Sequence, residues 1–187
     1  MRPTEYHIAL PSPDPPGTDS PRLVRAVVHA GTHQTTYLVA GSGPPVVLLH
    51  GPRGARLAWG ALAEILGGRR RLVAPESPAP APHAFSAWLR TFLDGLGLAQ
   101  VGIVAQDEFA LAALTFALLE PDRVERLALV HDDHPDSAVR QPVLEDRLHA
   151  TGHPLLVIRR PGPGPCPEPV RRAIGSFFVP AAAGPFA

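Results

Sequence analysis

VGIVAQDEFALAALTFALLEPDRVERLALV, running from Val101 to Val130, is the stretch that decides the fold. It reads as a buried strand at Val101–Ala105, a sharp turn at Gln106–Asp107–Glu108, and a helix from about Phe109 to Leu119. Pro121–Arg123 breaks that helix, and a second buried strand follows at Leu127–His131. Strand, helix and strand in this order form a βαβ crossover, so the two strands are parallel members of one sheet. The turn then falls at the C-terminal edge of the sheet, where open α/β folds place their ligands.

Working outward, the upstream chain supplies the rest of such a sheet. Val46–Leu49 is wholly apolar, as a strand covered on both faces must be. It runs into His50-Gly51-Pro52-Arg53-Gly54 and then a helix with Leu57, Leu62, Ile65 and Leu66 at helical spacing, ended by Gly67-Gly68. Arg71–Pro75 is the next strand, and Phe85–Leu96 is a helix with Phe85, Trp88, Leu89 and Phe92 on one face. Before all of these, Arg25–His29 and Thr35–Ala40 alternate apolar and polar residues around Gly31, the pattern of an antiparallel hairpin at a sheet edge. Downstream, a short helix near Val143–His149 precedes a strand at Pro154–Ile158. A Gly/Pro connector, Pro161–Pro169, leads to a closing helix at Val170–Phe178.

Composition narrows the class. The chain of 187 residues, 45% of them hydrophobic, predicts one domain around a single core. We divide it into a Pro-rich arm at 1–20, the α/β domain at 21–179 and a tail at 180–187. With 17 basic and 17 acidic residues there is no electrostatic footprint for nucleic acid. Every basic residue is Arg, and neither Lys nor Asn occurs, a bias expected of a GC-rich genome. Cys166, alone of its kind, allows no internal disulfide and no zinc cluster. Residues 1–21 lack the apolar run of a signal peptide, and no segment is long enough to span a bilayer. A cytoplasmic protein without membrane contact is the expectation.

Four segments in order and at the right spacing resemble the α/β-hydrolase family: GSGPPVVLLHG at 41–51, Trp59, RRLVAPE at 70–76 and LLEPDRVERLALV at 118–130. The resemblance covers residues 24–178. It implies a mostly parallel sheet with helices on both faces; the cap domain that the family usually inserts after Leu127–His131 has no counterpart here, which leaves a trimmed core without the cap-borne Tyr that epoxide opening would require. It also implies a nucleophile at the turn after the central strand, an acid after a later strand, and a His near the C-terminus. Asp107 takes the nucleophile position. That resembles the haloalkane dehalogenase and epoxide hydrolase branch, where a Gln-Asp or His-Asp pair opens the turn and the carboxylate attacks an sp³ carbon.

The chain also departs from the family. Where that branch follows its Asp with Trp and two glycines, this sequence has Glu108, Phe109 and Ala110. A small residue normally permits the tight contact at the Phe109 position. Pro52 stands where the family draws one oxyanion donor, and proline has no N–H. Glu108 holds the other donor position and brings a carboxylate with it. Ester hydrolysis through an ordinary oxyanion hole is therefore disfavoured. Arg159-Arg160-Pro161-Gly162 replaces the family's Gly-x-x-Asp. The strand and His-bearing loop that precede the family's last helix have no counterpart before PEPVRRAIGSFF.

The candidate catalytic residues are Asp107 and His131. Asp107 is aimed by its turn, and His131 ends the neighbouring strand where it can share a proton with Asp107. Candidate substrate-binding residues are His50, Gly51, Arg53, Glu108 and Phe109. Arg53 offers a guanidinium to a carboxylate or enolate, or pairs with Glu108 instead. His131-Asp132-Asp133-His134 is not expected to hold a metal, since four consecutive residues rarely face one ion. The leading expectation is a cofactor-independent, non-hydrolytic enzyme acting on a small apolar metabolite by acid–base chemistry at Asp107. Cyclisation, isomerisation and lyase reactions are of that kind, and biosynthetic tailoring would suit them. One alternative is an Asp-nucleophile hydrolase whose base is His131 or His134; another is a non-catalytic protein that binds a ligand or a protein partner. An apolar cleft without a cap needs a cover, for which the arm, the Glu76–His83 loop and a second copy in a homodimer are the candidates.

Overall fold

The computed structural model describes residues 23–30, 33–50, 55–78, 81–106, 109–132, 142–160 and 167–179. Among them lie seven strands: β1 Val24–Ala30, β2 His33–Ala40, β3 Pro45–Leu49, β4 Arg71–Pro75, β5 Val101–Gln106, β6 Val124–Asp132 and β7 Leu155–Arg160. Five helices accompany them: α1 Ala55–Leu66, α2 Pro82–Gly95, α3 Phe109–Leu119, α4 Pro142–Ala150 and α5 Glu168–Phe178. The strands form one sheet in the order β1-β2-β4-β3-β5-β6-β7. β1 and β2 are the expected hairpin, and β2 meets β4 antiparallel. From β4 through β3, β5, β6 and β7 every pairing is parallel.

Hydrophobic patterning explains the layering. β5 is buried at all six residues, and Val46 to Leu49 of β3 are fully buried, because helices cover both faces of the sheet. α2, α3 and α4 close one face over Val47, Leu49, Ile103, Ala105, Leu127 and Leu129. α1 and α5 close the other over Val46, Leu48, Val104, Ala128 and Val130. α3, FALAALTFALL, is apolar nearly all round, since it lies between α2 and α4 on the sheet. In α1, Leu62 and Leu66 are buried as their spacing predicts, whereas Ile65 is 39% exposed. Ile65 still packs closely on α5: a Cβ on Gly175 would stand 2.7 Å from its Cγ2.

The N-terminal edge of the parallel strands carries a polar clasp. The register slips between Val101↔Val124 and Gly102↔Arg126, leaving Glu125 as an extra residue in β6. Such a bulge re-aims a side chain. Here the carboxylate of Glu125 takes two hydrogen bonds from the buried Arg70 guanidinium, at 2.7 and 3.0 Å. Arg70 also donates through Nε to the carbonyl of Phe178, at 2.9 Å, and Arg126 donates to that of Phe177, at 2.7 Å. The last carbonyls of α5, orphaned by the end of the helix, thereby gain charged donors. The two guanidinium carbons lie 5.9 Å from the Phe178 ring centroid and 5.7 Å from that of Phe177.

Gly102 has a steric role in the same corner. A Cβ there would stand 2.5 Å from Cε1 of Phe178, so the strand is notched to seat that ring. The arm and the tail lie outside the described residues, as does the Pro161–Cys166 part of the connector.

Two outcomes follow from this corner. Gly102→Ala should cost about 1–3 kcal/mol through overpacking, measured by urea unfolding, and the penalty should shrink in a Phe178→Ala background. Hydrogen bonds from Arg70 hold the Glu125 carboxyl below its ordinary value of 4.5; burial opposes this and Arg126 adds to it. A depressed carboxylate contributes stability above its unfolded pKa and loses it as pH falls through the folded one. The stability advantage of the native protein over Glu125→Gln should thus be full at neutral pH, about 2 kcal/mol, and fade below about pH 4.5.

Candidate functional site

The parallel register brings three strand ends into line. Leu49 pairs with Ala105, and Ala105 with Leu129. One residue further, β3 has given way to His50, while Gln106 is the last residue of β5 and pairs with Val130. β6 continues to His131 and Asp132, which pair with Arg159 and Arg160 of β7. The structure therefore extends the sixth strand beyond the expected Leu127–His131 in both directions. The start of the His-Asp-Asp-His run belongs to the sheet.

His131 is 5% exposed. Alternation along β6 places it on the face of Leu127 and Leu129, beneath the α2–α4 layer. Gln106 is 6% exposed, and alternation along β5 places it on the opposite face, with Val104, toward α1 and α5. His50, half-buried, follows Leu49 directly. Two polar side chains thus approach the end of the central strands from opposite faces of the sheet. Gln106, expected in the turn with Asp107 and Glu108, instead closes β5 as a buried strand residue that pairs with Val130.

β5 ends at Gln106 and α3 begins at Phe109, so the change from strand to helix falls across Asp107 and Glu108. Those two residues, with Gly51, Pro52, Arg53, Asp133 and His134, lie outside the described residues. Phe109, the first residue of α3, is buried at 3%. Its ring meets Phe85 of α2 edge-on, with centroids 5.4 Å apart. Contacts pass from Phe85 to Trp88 at 5.2 Å, from Trp88 to Phe92 at 5.5 Å and from Phe92 to Tyr37 of β2 at 5.8 Å. A bulky residue at the start of α3 is accommodated because its ring enters this aromatic row between α2 and α3.

The strand order, with β2 antiparallel and the turn after the central strand β5, decides the architecture. The chain has the α/β-hydrolase fold. Solved structures agree: an epoxide hydrolase from Vigna radiata superposes with a TM-score of 0.53 at 22% identity, covering 69% of this chain and 46% of that one. By sequence, the chain is similar to 2-hydroxymuconate semialdehyde hydrolase of Pseudomonas sp. strain CF600, at 29% identity over 60% of this chain and 44% of that protein. It is likewise similar to 2-hydroxy-6-oxo-2,4-heptadienoate hydrolase of Pseudomonas putida, at 31% identity over 56% of this chain and 43% of that protein. The matched stretch thus spans less than half the length of these relatives. No protein-family model matches the sequence.

Within this α/β-hydrolase fold, the described residues pass from β7 to α5 without an intervening strand. They gather no group of three His, Cys, Asp or Glu that could hold a metal ion. None of the described helices is long and apolar enough to cross a membrane. Because Phe109 anchors the first turn of α3, Phe109→Ala should cost about 3–5 kcal/mol in urea unfolding. Paired with Phe85→Ala, the two losses should fall short of additivity by about 0.5–1.5 kcal/mol.

Proposed function

We propose that the protein is a hydrolase in which the Asp107 carboxylate is the nucleophile and His131 the general base. The observation that carries this reading is the two-residue passage from β5 to α3, which leaves Asp107 as the residue after buried Gln106. Buried His131 is the last residue but one of the adjacent strand. The relatives by sequence are hydrolases by name, and an epoxide hydrolase shares the fold. This supports hydrolysis over the non-hydrolytic cyclase, isomerase or lyase chemistry expected first.

The substrate class follows from the nucleophile. A carboxylate attacking an sp³ carbon forms an ester that water can then cleave, so an epoxide on a small apolar body suits Asp107 better than an ester substrate. An Asp107 oxygen bonds to the epoxide carbon as the ring C–O bond breaks. The electron pair goes to the ring oxygen, which takes a proton from water. His131 then removes a proton from a second water, whose oxygen attacks the carbonyl carbon of the Asp107 ester. The acyl C–O bond breaks, the alcohol oxygen receives the proton from His131, and the Asp107 carboxyl returns its own proton to solvent. The sum is one epoxide and one water consumed for one diol.

The test is turnover of a chromogenic aryl epoxide in water enriched in oxygen-18. The native protein should release diol and acquire label in the Asp107 carboxylate, read by peptide mass spectrometry. Asp107→Asn should lose activity by at least about 10⁴-fold with little change in Tm, and His131→Ala should accumulate the ester. Diol formed without label in Asp107 would turn the assignment toward simple acid–base chemistry. No turnover by the native chain, with no ester, would leave a binding protein.

A further inference from the structure

We infer that Arg159, beside His131 at the ends of β7 and β6, is an anion-binding residue whose guanidinium holds a carboxylate carried by the substrate. The inference rests on the hydrolase reading above for what reacts, and it narrows the substrate to an epoxide that bears a carboxylate. His131 pairs with Arg159 in the parallel register, each being the last residue but one of its strand. Paired residues of neighbouring strands point to the same face, with the strands about 4.8 Å apart. Leu127 and Leu155 pair four residues earlier and both pack into the core on the α2–α4 face, so alternation puts His131 and Arg159 on that face too.

Exposure divides the work between the two side chains. His131 is 5% exposed, whereas Arg159 reaches solvent. A carboxylate on Arg159 would hold the charged end of a ligand at the rim and leave its apolar body toward the buried imidazole. A planar guanidinium takes both oxygens of a carboxylate through parallel N–H···O bonds. Arg25, Arg70, Arg90, Arg123 and Arg126 each hold a carboxylate of the protein itself. Among the described residues, no hydrogen bond or ion pair engages the Arg159 side chain, so its fork is open to a ligand. Arg69 is likewise unengaged, but it precedes β4 at the opposite edge of the sheet, away from His131.

Phenylacetate and phenylacetamide share an apolar ring and differ in charge, so together they isolate what the guanidinium contributes. At low ionic strength the native protein should bind phenylacetate about tenfold more tightly than phenylacetamide, and sodium chloride should erode the preference. Phenylacetate should also shift the His131 ring resonances, which an arginine elsewhere on the surface would not do. In Arg159→Gln the two ligands should bind alike, and Arg159→Lys should recover part of the preference. Arg69→Gln should behave as the native protein. Arg159 is exposed, so its variants should keep the native Tm. Failure of the native protein to prefer phenylacetate, or a preference that survives Arg159→Gln, would overturn the inference.

Turnover supplies a second arm. 3-Phenylglycidate and styrene oxide are aryl epoxides with and without a carboxylate. The native protein should show a KM for the glycidate about tenfold below that for styrene oxide. Arg159→Gln should raise the glycidate KM by a similar factor while kcat changes less than about threefold, as expected when uniform binding is lost. Equal KM values for the two epoxides in the native protein would keep the hydrolase and discard the anion site. Arg159-dependent binding of phenylacetate with neither epoxide turned over would keep the anion site and discard the hydrolase.

Discussion

Every part of this domain answers to the burial of β5. A strand with no exposed residue must have both its faces covered, and each cover imposes its own demand. On one face α3 is held between α2 and α4, which explains why its sequence can be apolar on nearly every side. On the other face the cover is α5, and its Phe178 ring lies so close to the strand that only Gly102 fits beneath it. Hydrophobic burial supplies the driving force without direction. Direction comes from the notch at Gly102 and from the charged clasp of Arg70, Glu125 and Arg126 at the strands' N-terminal edge.

That clasp and the candidate site occupy opposite ends of the same strands. The arrangement separates two requirements that conflict within a single site. Charged groups that satisfy one another, as Arg70 and Glu125 do, rigidify a corner and leave little chemical capacity. Gln106 and His131 sit where β5 and β6 end, and there the backbone ladder stops. α5 reaches its seat from β7 with no further described strand between them, so arginines at its C-terminus bear much of the load of fixing it. A helix held by its terminal carbonyls can close the sheet without an additional strand beside it.

The fold was legible because it is written in periodicity. The apolar runs Val46–Leu49 and Val101–Ala105, the alternating hairpin, and the breaks at Gly67-Gly68 and Pro121–Arg123 each report a local constraint that tertiary packing reinforces. The strand ends were less legible. β6 starts at Val124 and reaches Asp132 because Glu125 bulges out to Arg70 and because β7 offers Arg159 and Arg160 as partners; neither cause is local in sequence. Ile65 has the right spacing for the core yet is partly exposed, since helical period gives a face but not the width of the neighbour covering it. Phe109 looked too large for its position because sequence shows a residue's volume, not the aromatic row from Phe85 to Tyr37 that receives it. Of the candidate site, His131 and His50 could be brought to one sheet edge from sequence, since strand ends fix them. The placement of Gln106 required the register.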